Sequence, residues 1–139
     1  MITGFSITGV EGKVESADSL SRQRFPKLNI NIEKVKQEGN DRLAVDFSFL
    51  AEYLDGDAKS SKSLGSIKLS GTIDVKDTKE AIESSMKKWN DSKTLPTALA
   101  EEMINGLNFR CSASGTLVAY SLGLIPPLVI SATRVQESK

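Results

Sequence analysis

The sequence predicts an α+β fold: a four-stranded antiparallel meander sheet covered by two C-terminal helices, the second one long. Three observations predict it. Apolar and polar residues alternate with a period of two in several segments up to Lys76, most plainly in "LGSIKLSGTIDVK". There Ile67, Leu69, Ile73 and Val75 share a face with Gly71, and Lys68, Ser70, Thr72 and Asp74 share the other. From Asp77 onward the apolar spacing becomes helical. The strands follow one another without an intervening helix, which favours antiparallel neighbours.

The first strand runs from about Phe5 to Val14. Phe5 and Ile7 have one parity, Val10 and Val14 the other, and Gly9 and Gly12 are placed to absorb the switch as a bulge. The polar stretch "ESADSLSRQRFPK" is longer than a hairpin needs and reads as a crossover loop, with Leu20 and Phe25 as its apolar points. Pro26 sets the start of the next strand, "KLNINIEKV". In it Leu28, Ile30 and Ile32 oppose Lys27, Asn29, Asn31 and Glu33. Gly39-Asn40-Asp41 makes a turn, because these residues tolerate positive φ. In "LAVDFSFLAEY", Leu43, Val45, Phe47 and Phe49 form the dry face, and Asp46 and Ser48 the wet one. A second polar loop, "LDGDAKSSKSLG", leads into the strand quoted above.

Asp77 followed by Glu80 has the pattern of a capping box, and Ile82, Met86 and Trp89 recur at helical spacing after it. "NDSKT" breaks this helix. Pro96 suits the first turn of the second, which extends to about Leu122. Its stripe contains Ile104, Leu107, Cys111, Gly115, Val118 and Leu122, with five small residues, "CSASG", in the middle. Small residues permit close approach, either to the sheet of the same chain or to a helix of a second subunit. Read as a subunit interface, the stripe assigns Ile104, Leu107, Cys111, Gly115 and Val118 to it. Gly123 ends the helix and Pro126-Pro127 prevent its resumption.

The chain of 139 residues suits a single domain, 1–139, with no repeat, low-complexity segment or linker. Eighteen basic and 18 acidic residues cancel, which gives no reason to expect nucleic acid or an anionic membrane as partner. One cysteine permits no intrachain disulfide. The N-terminus lacks the pattern of a signal peptide, and "GTLVAYSLGLIPPLVI" is too short and too proline-rich for a membrane span. A cytoplasmic location is the simplest expectation.

The sequence has no histidine, which removes the usual general base, nucleophile activator and metal ligand together. No catalytic residue, metal site or cofactor is therefore expected. Trp89 lies on the Ile82/Met86 stripe and reads as packing. Glu101 and Glu102 are adjacent, so they point apart and are not a facing carboxylate pair. Asp55-Gly56-Asp57 lacks the remaining ligands of a calcium loop. Cys111, mid-helix and without histidine, reads as a buried filler. Asn105, Asn108 and Arg110 read as a solvated face. A ligand pocket between sheet and helix would need Asp46, Lys68 or Asp74 to point inward, against the alternation.

The strand order, the long connection after the first strand, and a long helix carrying Arg110-Cys111, small residues and then "LGLIPPLVI" resemble the SecB-type export chaperones. The shorter SecB-like proteins of archaea and bacteria are more similar still. The resemblance covers about Phe5 to Ile130. It implies a homo-oligomer, dimer or tetramer, that binds unfolded polypeptides in apolar grooves without nucleotide. The residues that would line those grooves are Leu20, Phe25, Leu124, Ile125, Leu128 and Ile130. The chain departs from the family in its neutral charge and in "TRVQESK", which lacks a zinc motif, so hand-over to an export ATPase is not implied. The reading from sequence is a non-catalytic, ATP-independent holder of non-native chains. The alternative is a structural or adaptor oligomer that recognises one folded partner.

Overall fold

The computed structural model describes residues 1–15, 17–54 and 63–127. The elements are β1 (Ile2–Val14), β2 (Lys27–Glu38), β3 (Arg42–Leu54), β4 (Ser63–Lys76), α1 (Lys79–Ser92) and α2 (Thr97–Leu122). The strands form one sheet in the order β1-β4-β3-β2, and every neighbouring pair is antiparallel. The predicted α+β class, the four antiparallel strands and the two helices are all present. The meander proper is β2-β3-β4, and β1 joins it beside β4. The crossover after β1, which includes a short 3-10 helix (Ala17–Arg22), therefore carries the chain from one sheet edge to the other.

Three register shifts keep the apolar residues on one face, the first between Ile2 and Gly4, which sets Ile2 opposite Val75. The register of β1 shifts between Ile7 and Gly9, so Ile7 stands opposite Gly71 and Val10 opposite Leu69. The extra residue puts Val10 on the same side of the sheet as Ile7, although Val10, on the edge strand, stays 56% exposed. In β2 the register shifts between Ile32 and Lys34, which brings Val35 opposite Val45. Val35 thereby joins Leu28, Ile30 and Ile32 despite its opposite parity.

The core lies on the dry face of β3 and β4. Leu43, Val45, Phe47, Phe49, Ala51 and Tyr53 of β3 are buried against Ile67, Leu69, Ile73 and Val75 of β4. The cover comes from Ile82 and Trp89 of α1 and from Met103, Leu107, Cys111 and Ala119 of α2. Helix α1 packs towards β2, and α2 packs on β1 and β4. The approach of α2 to β1 is close. A Cβ at Gly12 would lie 2.7 Å from both Leu122 and Val118, and one at Gly106 would overlap the Phe5 ring.

Thr78, one residue beyond the predicted Asp77, caps α1 by accepting from the Ala81 amide at 3.2 Å. The Asp77 amide donates to the Asp41 carbonyl across the sheet end, at 3.0 Å, so Asp77 still belongs to the end of the sheet. Its carboxylate instead accepts from the Thr78 amide. Helix α2 starts after Pro96 and stops at Gly123, where φ is 73°.

Gly71 stands between Ile7 of β1 and Phe47 of β3, and a Cβ there would overlap the Ser6 carbonyl oxygen. Backbone cannot swing aside as a flexible side chain can. Gly71→Ala is expected to push β1 from β4 and lower stability by about 2 kcal/mol or more, measured by urea unfolding.

Candidate functional site

Among the described residues, three of the predicted groove residues, Leu20, Leu124 and Ile125, gather at one end of the sheet and face inward. The Gln23 side chain ties the crossover to the segment after α2. Its amide nitrogen donates to the carbonyls of Leu20 at 3.0 Å and Gly123 at 2.9 Å, and its oxygen accepts from the Ile125 amide at 2.7 Å. The Tyr53 hydroxyl donates to the Ile125 carbonyl. Leu124 is buried, and Leu20 and Ile125 are half-buried against the core. Of the predicted set, Phe25 is the side chain presented to solvent, at 56% exposure. Leu128 and Ile130 lie outside the described residues.

The residues predicted to form a subunit interface are mostly spent within the chain. Leu107, Cys111 and Gly115 are buried, Gly115 against Pro127, and Ile104 and Val118 are half-buried. The small residues thus serve the approach of α2 to its own chain. The opposite side of α2 presents Phe109, Leu117 and Tyr120, each about three-quarters exposed. With Ala113 they stand at i, i+4, i+8 and i+11, a line along one helix face. That spacing is legible in the sequence, but the stronger stripe on the other side masks it. Arg110, predicted as solvated, lies 5.2 Å over the Phe5 ring.

A second apolar surface opens where β2 meets the junction of the two helices. A cleft of about 310 Å³ is lined by Ile30, Asn31 and Ile32 of β2, by Trp89, Lys93, Thr94 and Leu95, and by Ala100, Met103 and Ile104 of α2. This is at the lower end of ligand-pocket sizes. Among the described residues β2 is an edge strand, so the cleft opens beside unpaired backbone. Trp89 is 9% exposed and forms part of the cleft wall as well as the core. Lys93 closes α1 in a left-handed conformation, with φ 54°, and its amide donates to the Trp89 carbonyl at 2.8 Å. Its ammonium stands 5.5 Å from the centroid of the Trp89 ring. No pattern in the sequence singles out Lys93.

The outer face of the sheet is polar. Asp46, Lys68 and Asp74 are exposed there, pointing away from the helices as the alternation predicts. Thr72 donates to Asp46 at 3.1 Å, and Ser48 to Glu33 at 2.6 Å. Among the described residues no three His, Cys, Asp or Glu side chains group as metal ligands. No helix among them is long and apolar enough to cross a membrane. Burial pushes both the Cys111 thiol and the Tyr53 phenol up to about 12.

No protein-family model matches the chain, and no curated protein matches it. Among solved structures it is similar to a SecB-like chaperone of Mycobacterium tuberculosis, solved in complex with a ChAD peptide from the HigA1 antitoxin. The two are 10% identical, with a TM-score of 0.62, over 98% of this chain and 92% of the other. The chain therefore has a SecB-like fold.

The two buried acids make stability depend on pH in the alkaline range. In the unfolded chain the thiol and the phenol lose their protons near 9.0 and 10.0, well before the folded forms do. Unfolding then releases protons, so stability falls as pH rises from about 9 towards 12. Tyr53→Phe is expected to cost about 1–3 kcal/mol at neutral pH, because the Ile125 carbonyl loses its donor, and to flatten the fall above pH 10. Urea unfolding across that range measures both effects.

Proposed function

We propose that this protein is a non-catalytic holder of non-native polypeptides, working without nucleotide as a cytoplasmic homo-oligomer. The observation that carries this reading is the open apolar cleft at the β2 edge. Its walls, Ile30, Ile32, Leu95, Met103 and Ile104, are of core composition, yet they are left facing a space about 310 Å³ in volume. An extended client segment would lay an apolar side chain in that space beside β2, an edge strand among the described residues. Contact of that kind reads backbone and apolar character rather than one sequence, which suits clients of many sequences. The peptide bound to the SecB-like chaperone of M. tuberculosis supports the same kind of ligand for this fold. The lack of histidine supports a role without general acid–base chemistry.

Self-association has its own support. Phe109, Leu117 and Tyr120 form an exposed apolar line on α2, and exposed lines of this kind mark contact surfaces. Zero net charge leaves little repulsion between copies.

Fluorescence anisotropy of several unrelated, labelled, unfolded polypeptides tests the holding reading. Micromolar or tighter binding to most of them is expected, with none when the same clients are folded. Ile104→Glu, which puts a charge in the cleft wall, is expected to weaken binding at least tenfold. Binding of one folded partner alone would support the adaptor reading instead. In sedimentation velocity, Leu117→Glu is expected to shift the wild-type oligomer towards monomer.

A further inference from the structure

We propose that the cleft prefers client segments in which an apolar side chain stands next to a carboxylate, and that Lys93 reads that carboxylate. The inference rests on the polypeptide-holding reading and specifies its ligand. Lys93 is the one charged residue among those lining the cleft. The rest of the wall is apolar apart from Asn31 and Thr94, so no lining carboxylate offsets the cation. Among the described residues, Lys93 makes no ion pair. Its ammonium stands 5.5 Å from the centroid of the Trp89 ring, and its backbone is anchored by the bond from its amide to the Trp89 carbonyl. A cation beside an apolar space complements an apolar group with an adjacent anion and repels one flanked by cations.

The backbone at Lys93 sharpens the argument. Among the described residues it is the one non-glycine with positive φ. Glycine usually closes a helix in this conformation, because any other side chain strains the backbone there. A lysine at this position holds a cation at the cleft mouth despite that strain. It also makes a clean test possible, since Lys93→Gly removes the cation while relieving the backbone.

Trp89 is the only tryptophan of the chain, so its emission reports on the cleft. The full-length protein is titrated at low ionic strength with three blocked, tryptophan-free peptides. They share one leucine-rich centre and are flanked by glutamate, glutamine or lysine. The glutamate-flanked peptide is expected to bind about fivefold tighter than the glutamine-flanked one, and the lysine-flanked one more weakly than either. Lys93→Gly should melt no lower than the wild type and should lose the preference, binding the glutamate- and glutamine-flanked peptides alike. Lys93→Glu should reverse the order. Equal affinity for all three peptides, or an unchanged preference in Lys93→Gly, overturns the inference and leaves the holding reading intact. A failure of all three peptides to bind overturns both.

Discussion

The close seating of α2 on the dry face of β1 and β4 governs the rest of the molecule. The face exists because three register shifts hold the apolar side chains of β1 and β2 in phase with those of β3 and β4. The helix can reach it because Gly12 and Gly106 offer no side chain where Leu122, Val118 and the Phe5 ring must fit. Burial of Leu107, Cys111 and Ala119 follows from that approach. Apolar burial of this kind contributes roughly 25 cal/mol per Å², so small losses of contact are costly. Once α2 lies over β1 and β4, α1 must cover the β2 side, with half the length.

That division of the sheet creates the cleft. The two helices meet at Lys93 to Pro96, over the edge strand, and the cover is incomplete there. Elsewhere the chain closes its own gaps. Gln23 and Tyr53 pull the segment after α2 onto the crossover, and Leu20, Leu124 and Ile125 fill that end of the fold. The apolar surface left to solvent includes the cleft, Phe25, the outer line of α2, and Met1 and Val10 at the β1 edge. A protein that binds flexible chains must gain enough from apolar contact to offset the ordering of its client. The cleft is where apolar side chains of core type line an open space.

Much of the fold was legible in the sequence because period-two and helical patterns are local. The bulge in β1 could be read from a parity switch beside two glycines, whereas the one in β2 was hidden by the charged run around Glu33 and Lys34. The place of β1 beside β4 depends on pairing across some sixty residues, which no local pattern encodes. The start of α1 moved by one residue because Asp77 is tied across the sheet end, again a tertiary contact. The site was less legible. Leu20, Leu124 and Ile125 are apolar residues in loops, and sequence cannot say whether such residues fill a core or line a groove. Trp89 was read as packing, and it is packing, but its edge also forms a cleft wall. Lys93 owes its position to a left-handed turn that its residue type disfavours.

The central claim is that non-native chains are held at the β2 edge, against the helix junction. Hydrogen exchange of the protein, alone and with a reduced, permanently unfolded client, measures this directly. The account predicts slowed exchange in β2 around Ile30 to Ile32 and from Trp89 to Ile104, with the outer sheet face unchanged. Protection confined to other segments, or none at saturating client, would contradict it.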